Sequence, residues 1–253
     1  MSFSKPFHRN YRDIKKRHNS GYSSWAYIID REYAIDPAHY VRAYKLIQRD
    51  LENIFEFVEP SNQSKKAFSY RIHALLIRTC IEIEANFKSI FSENTFKIPQ
   101  KCSLNINDYR KIDVTHHLSS YKVSLPIWNG APRIICPFKP WRQCRGKKDS
   151  TNSRIDWYQA YNASKHDRHR SFKEANFENL INAVAGLLIV VTSQFGKQEF
   201  SAGSTVVSLS AGEYHSMRPA IGSLFRIQYP DDWLDEELYD FDWRPPRTMA
   251  NSG

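Results

Sequence analysis

The sequence predicts a mainly α-helical protein whose body is an up-down four-helix bundle. Two long stretches in the first hundred residues repeat apolar side chains every three or four positions, the rhythm of an amphipathic helix. Two further helical stretches follow residue 150, and a proline-rich stretch without that rhythm separates the two pairs. Because the link between the first two helices is short, we expect them to pack antiparallel.

The first helix is predicted over residues 37–58. Asp36 is a good capping residue, and Pro37 suits the first helical position, where no backbone N–H is needed. Pro60 follows the last turn. One apolar stripe runs along the helix: Val41, Tyr44, Ile47, Leu51, Ile54, Phe55 and Val58.

The second helix is predicted to begin after Ser64 and to end near Phe91. Its inner face consists of Phe68, Ile72, Leu75, Leu76, Thr79, Ile83, Phe87 and Ile90. Arg78 and Glu82 are four residues apart, which predicts an ion pair on the helix surface. The alternative is that a carboxylate of this helix acts across the bundle, with Glu84 orienting His166 or pairing with Lys165.

Residues 93–150 form a predicted insertion between the second and third helices. Prolines interrupt it repeatedly: Pro99, Pro126, Pro132, Pro137 and Pro140. A structureless stretch of this length is unusual in a compact domain. We therefore predict a short helix near 106–112 and one or two small strands, at 121–125 and 133–136.

The third and fourth helices are predicted from their caps. The third begins near Arg154, where Ser153 and Asp156 have the spacing of a capping box, and it continues through His169. The fourth follows Asn176 as its cap and stops at Gly196. Its second half is apolar on all sides, which predicts a central place in the core.

The last part of the chain, 197–253, is predicted as a β-containing extension. Short β-like runs at 204–209 and 223–229 are expected to form a hairpin, with an acidic, aromatic segment packed beside it. The chain thus divides into a basic N-terminal arm over 1–36, a bundle with its insertion over 37–196, and this extension.

Charge is distributed unevenly along the chain, which carries a formal net charge of +9. Residues 1–18 and 139–170 are strongly basic, whereas 231–242 are strongly acidic with large apolar residues between the acids. A solvated tail does not need those apolar residues, so the acidic segment is expected to dock on the body across a basic surface. A peripheral strand and turn with a polar outer face is the alternative. A positive field favours phosphate-bearing partners.

Several classes of protein are excluded by composition. No apolar run approaches the roughly 18 residues of a membrane span, and the first residues lack the apolar core of a signal peptide. The cysteines show neither CxxC pairs nor metal-ligand spacing, which predicts reduced thiols in a cytoplasmic protein. They are Cys80, Cys102, Cys136 and Cys144. Phosphate-loop, dinucleotide-binding, serine-hydrolase and zinc-protease motifs do not occur, so we expect neither a cofactor nor a metal.

The densest polar cluster lies on the predicted third helix. Asn162 and His166 are one turn apart, with Lys165 between them and Arg168 shortly after. A histidine can move a proton in either direction, and nearby cations can stabilise the charge of a phosphate in transition. Such a set is suited to cleaving RNA without a metal. The alternative is an ordinary amphipathic helix, with its aromatic residues inside and its charges in water.

These helices resemble the HEPN superfamily over residues 37–92 and 150–196. That superfamily is a small four-helix bundle found in bacterial toxins, phage-defence proteins and RNA-processing nucleases. Active members are metal-independent ribonucleases, generally dimers, in which two R-x4–6-H motifs meet at the interface. The resemblance makes Asn162 the polar residue and His166 the histidine of the motif.

This sequence departs from the family at the arginine position of the motif, where Tyr161 stands. A tyrosine supplies no fixed positive charge. Lys165, Arg168 or Arg154 is expected to replace that charge, or else the protein is a binding-only relative.

Two other functions fit the sequence. One is a non-catalytic module that binds nucleic acid or a nucleotide through aromatic and basic residues and uses His166 structurally. Its binding residues would be Trp141, Arg142, Arg145, Lys147, Lys148, Arg154 and Tyr161. The other is a protein-interaction subunit, whose basic arm and acidic aromatic segment would grip a protein partner or a second copy of the chain.

Overall fold

A computed structural model describes residues 8–13, 34–94, 104–147, 153–196 and 217–238. The protein is mainly helical, with a small four-stranded antiparallel sheet. The α-helices are α1 (Pro37–Phe55), α2 (Tyr70–Ser92), α3 (Ile106–Tyr109), α4 (Asp113–His116), α5 (Asp156–His166), α6 (Arg168–Ser171) and α7 (Phe177–Phe195). The strands are β1 (Lys122–Ser124), β2 (Ile134–Ile135), β3 (Arg218–Pro219) and β4 (Arg226–Gln228).

Helix α7 is the centre of the core, as its apolar second half predicted. It contacts each of the other long helices, α1, α2 and α5, and α2 in turn contacts α1 and α5. Asn176 caps it by accepting a hydrogen bond from the N–H of Asn179 at 3.1 Å. It ends at Gly196, whose φ of +64° favours glycine.

One helix within the described ranges is long and apolar enough to cross a membrane by length and composition, and it is α7. Most of that helix is buried inside the protein. The core helix of a soluble protein passes the same test, so the structure is consistent with a soluble protein. A cytoplasmic location stays a prediction.

The ends of α1 and α2 differ from the predicted ones. Asp36 caps α1 as predicted, accepting from the N–H of His39, but the helix ends at Phe55 rather than at residue 58. Helix α2 begins at Tyr70 rather than after Ser64, because Ser69 caps it. The residues before Ser69 are drawn out of the helix by a β-bridge between Phe68 and Asn176.

The insertion and the C-terminal extension share one sheet. The short helix and both strands of the insertion lie where they were predicted, and β4 lies within the predicted run 223–229. The strand order is β2-β1-β4-β3, and Val123 of β1 is opposite Ile227 of β4. The expected hairpin partner of β4 at 204–209 lies outside the described residues. Strand β4 pairs with β1 of the insertion on one side and with β3 on the other.

Part of the basic N-terminal arm is buried rather than extended. The Arg9 side chain is fully buried, with its Nε 2.7 Å from Glu93 Oε1. Its Nη1 donates to Gln194 Oε1 at 2.9 Å, and its guanidinium lies 4.3 Å from the centre of the Tyr40 ring. The expectation of an arm free for a partner is therefore wrong for residues 8–13. Residues 1–7 and 14–33 of that arm lie outside the described part.

Candidate functional site

The predicted catalytic cluster lies at the C-terminal end of α5. Asn162 is half-buried, whereas Lys165 and His166 are exposed. Within the described ranges, the His166 side chain makes no hydrogen bond or ion pair with protein. Asn162 and His166 share one side of the helix, since they are four residues apart. The imidazole is thus open to a ligand and is not a buried structural hydrogen-bonder.

Helix α5 is shorter than predicted at both ends. It starts at Asp156 after Ile155, and no side chain caps it, so the predicted capping box of Ser153 is not formed. It stops at His166 because Asp167 leaves helical geometry, and the Asp167 side chain caps α6 by accepting from the N–H of Arg170. The expectation of one helix through His169 is therefore wrong.

Tyr161, predicted to stand at the arginine position of the motif, holds a lysine. Lys165 Nζ donates to the hydroxyl of Tyr161 at 3.0 Å and lies 5.1 Å from the centre of its ring. The Tyr161 ring is fully buried, so it gives the ammonium a fixed support. The hydrogen bond with Tyr161 raises the pKa of Lys165, which keeps this cation charged.

Glu84 lies across the α2–α5 interface from this pair. Its Oε1 accepts a hydrogen bond from the Tyr158 hydroxyl at 2.8 Å, and burial together with Glu84 raises the pKa of that phenol. The charge of Glu84 also helps to raise the pKa of Lys165, without an ion pair between the two. The predicted pair between Glu84 and Lys165 is therefore not formed. The hydrogen bond of Glu84 is to Tyr158 rather than to His166.

The other two supporting residues take different roles from those predicted. Arg78 pairs with Asp50 of α1, so the expected surface pair with Glu82 is not formed. Among the described residues, the Glu82 carboxylate has no ion-pair partner. Sequence spacing missed Asp50 because it lies on another helix.

Much of the predicted nucleic-acid surface is not available to nucleic acid. Trp141 and Tyr161 are buried, so neither ring is free to stack on a base. Arg145 is paired with the carboxylates of Asp113 and Asp232. The remaining residues are exposed or fall outside the described ranges. Arg142, Lys147 and Arg154 are exposed, and Lys148 is not described.

Arg145 binds two carboxylates from distant parts of the chain. Its Nε is 3.1 Å from Asp113 Oδ2, and its Nη1 donates to Asp232 Oδ2 at 2.8 Å. Its Nη2 donates to the hydroxyls of Ser119 and Ser120 at 2.7 and 2.6 Å. Burial alone would lower the pKa of Arg145, but Asp113 and Asp232 outweigh it and raise that pKa. The Arg145 guanidinium therefore stabilises the fold by joining distant parts of the chain.

The acidic C-terminal segment docks on this arginine, as one of the two sequence interpretations predicted. The ring of Trp233 stacks on His117 with 3.9 Å between ring centres, and His117 Nδ1 is 3.0 Å from Asp232 Oδ1. Arg12 lies 5.0 Å from the Trp233 ring and donates to the carbonyl of Glu237 at 2.8 Å. We call this group the terminal clamp: Arg12, Asp113, His117, Arg145 and Asp232. Residues beyond 238 lie outside the described part.

An exposed aromatic cluster beside α5 was missed by the sequence reasoning. The Phe172 ring lies 4.8 Å from the Tyr70 ring, 5.6 Å from Phe68 and 5.7 Å from His73, centre to centre. Arg168 lies over Tyr70, at 5.9 Å. Phe68 had been predicted to face the core of an earlier-starting α2, and Phe172 follows the break in α5. The sequence analysis placed the start of α2 too early and the end of α5 too late, so it did not predict this cluster.

No group of three histidine, cysteine or acidic side chains is arranged to hold a metal ion within the described ranges. Cys80, Cys136 and Cys144 are free thiols. Comparisons with known protein families, with characterised proteins and with solved structures find no match for this chain.

Proposed function

We propose that this chain is a HEPN-like, metal-independent ribonuclease, with its four long helices as the bundle and His166 as the group that moves a proton. The observation that carries the proposal is a lysine held by a buried tyrosine, directly before an exposed histidine in the sequence. Lys165 is held by Tyr161, the residue at the family's arginine position. A fixed ammonium at this place supplies the charge that tyrosine lacks.

The reaction that fits this set is attack by the ribose 2′-oxygen on the adjacent phosphorus. His166 takes the proton of the 2′-hydroxyl as the bond from that oxygen to phosphorus forms. The bond from phosphorus to the 5′ oxygen breaks, and that oxygen receives a proton from water or from a second copy of the chain. Lys165 stabilises the extra negative charge on the phosphate, and Arg168 is close enough in sequence to assist. The products carry a 2′,3′-cyclic phosphate and a 5′-hydroxyl.

The wider setting is also part of the proposal. The resemblance favours a cytoplasmic homodimer that acts in a toxin or phage-defence system. An exposed His166 on one protomer fits a site that is completed when two copies meet. RNA is then the substrate, and the basic net charge favours its approach.

The test incubates the purified chain with total bacterial RNA in the presence of EDTA. We expect cleavage by the unmodified chain and none by His166→Ala. The matched control is His169→Ala, because His169 is also an exposed histidine but lies on α6. The control is expected to cleave as the unmodified chain does. Absence of cleavage by all three proteins, or equal cleavage by all three, would contradict the proposal and favour a binding-only relative.

A further inference from the structure

The rings around Phe172 form an aromatic surface that is open to solvent. We call it the aromatic platform: Phe68, Tyr70 and Phe172. Tyr70 is 69% exposed and Phe68 is 43% exposed. Transfer of a phenylalanine or tyrosine side chain out of water is favourable, so neighbouring rings that stay exposed mark a contact surface.

Arginines are interleaved with these rings. The guanidinium of Arg168 lies 5.9 Å from the centre of the Tyr70 ring. Arg71, the next residue after Tyr70, is exposed and lies 6.0 Å from the ring of Phe57, which is 73% exposed. Neither arginine pairs with a carboxylate of the described residues. Aromatic rings alternating with free cations suit unpaired bases joined by phosphates better than they suit an apolar protein surface.

The platform lies next to the proposed catalytic end of α5. His73 Nε2 is 3.4 Å from the carbonyl oxygen of Ser164, which brings the start of α2 against the last turn of α5. His166 follows Ser164 by two residues, and Arg168 links that end of the helix to Tyr70. A strand bound on the platform therefore passes beside the exposed imidazole.

We infer that the aromatic platform binds single-stranded nucleic acid, with Tyr70 stacking on an unpaired base and Arg168 and Arg71 binding phosphates. Taking that strand to be RNA rests on the proposed function. Duplexes are disfavoured because their bases already stack on one another and cannot reach the rings. The platform thus makes single-stranded RNA the substrate class of this site.

The test measures binding by fluorescence anisotropy in the His166→Ala background, so that cleavage does not interfere. The probes are labelled oligouridine, oligothymidine of the same length, and an RNA duplex. Tyr70→Leu removes the ring and is expected to weaken oligouridine binding about tenfold, whereas Tyr70→Phe keeps the ring and the affinity. Tyr70 is exposed at the first position of α2, so both variants are expected to keep the fold, which thermal melting verifies.

Two results would overturn the inference: equal affinity of the Tyr70→Leu and Tyr70→Phe variants, or tighter binding of the duplex than of oligouridine. Tighter binding of oligothymidine than of oligouridine would contradict RNA as the bound strand. The two proposals fail separately. Binding that depends on Tyr70, without any cleavage that depends on His166, would contradict the nuclease and leave the platform. Cleavage that depends on His166, with binding indifferent to Tyr70, would contradict the platform and leave the nuclease.

Discussion

At the scale of single residues, Tyr161 stands where the proposed HEPN relationship expects an arginine. It is a buried phenol whose hydroxyl holds Lys165. On that proposal the charge lies four residues further along the helix, on the side chain that directly precedes His166 in the sequence.

We predict that Tyr161→Phe lowers ribonuclease activity about tenfold or more, because the change removes the acceptor that fixes the Lys165 ammonium. The pKa of Lys165 falls towards its ordinary value for the same reason, since the hydrogen bond with Tyr161 is the largest cause of its rise. Cleavage rates measure the loss of activity, and an NMR titration of the Lys165 side chain measures the fall in its pKa. Thermal melting checks that the variant is folded.

The matched control for this prediction is Tyr158→Phe. Tyr158 is a buried tyrosine of the same helix, but its hydroxyl donates to Glu84 instead of holding Lys165. We expect this variant to lose stability and to keep most of its activity. A parallel loss of activity in both variants would show that the hydroxyls matter only for folding.

At the scale of elements, local signals predicted the beginning of α1 and both ends of α7 better than the beginning of α2 and both ends of α5. The caps Asp36, Asn176 and Gly196 act on their own helices, so the sequence carries their effect directly. Helix α2 starts late because Phe68 pairs with a residue far away in the sequence. A bridge between distant residues does not alter the apolar periodicity of the sequence, so the periodicity could not predict it.

The packing of α7 against α5 leads to a prediction at Gly186. A Cβ at this position would lie 3.2 Å from Cζ2 of Trp157, and the indole of Trp157 is held by its hydrogen bond to the carbonyl of Pro137. We therefore expect Gly186→Ala to lower the free energy of unfolding by about 1 kcal/mol, although alanine favours helices. Urea unfolding measures the change.

Two results bear on that expectation. In the Trp157→Phe background, Gly186→Ala should cost less free energy of unfolding than in the unmodified chain, because the smaller ring leaves room for the methyl group. A Gly186→Ala chain that is more stable than the unmodified one would contradict the crowding argument, and it would mean that Trp157 moves easily.

At the scale of the whole molecule, the two ends of the described chain meet at the terminal clamp. Arg12 from the N-terminal part lies over the Trp233 ring, and Asp232 from the acidic segment contacts His117, on which that ring stacks. Uneven charge along the sequence indicated that opposite ends attract. The clamp uses Asp232 inside one chain, whereas Leu234, Asp235 and Glu236 of the same segment stay exposed. Binding of a protein partner by this segment stays a prediction.

We predict that Asp232→Asn lowers the free energy of unfolding at neutral pH by about 2 kcal/mol, because three charge-assisted hydrogen bonds weaken. Burial alone would raise the pKa of Asp232, but donors from His117, Ser120 and Arg145 hold it well below its usual range. A lowered folded-state pKa means stability that is present above the unfolded value of 3.8 and is lost as the pH falls below it.

The measurement is urea unfolding of both chains from neutral pH downwards. The difference between them should stay constant to about pH 4. At lower pH it should shrink as Asp232 of the unmodified chain takes up its proton, first in the unfolded state. Asp231→Asn is the control, since Asp231 is an exposed neighbour. A difference that persists unchanged in acid would contradict a role for the Asp232 charge.

The sequence by itself determined the helical class and the central place of α7. These follow from apolar periodicity and caps, which are properties of a stretch of chain. The sequence left two interpretations of the acidic segment, and the tertiary structure decided that its described part docks on Arg145. Only the tertiary structure decided that α5 stops at His166, that Trp141 and Tyr161 are buried, and that β4 joins the strand of the insertion. Those outcomes depend on which distant residues come into contact. The identity of a residue determines its chemistry but does not specify its contact partner.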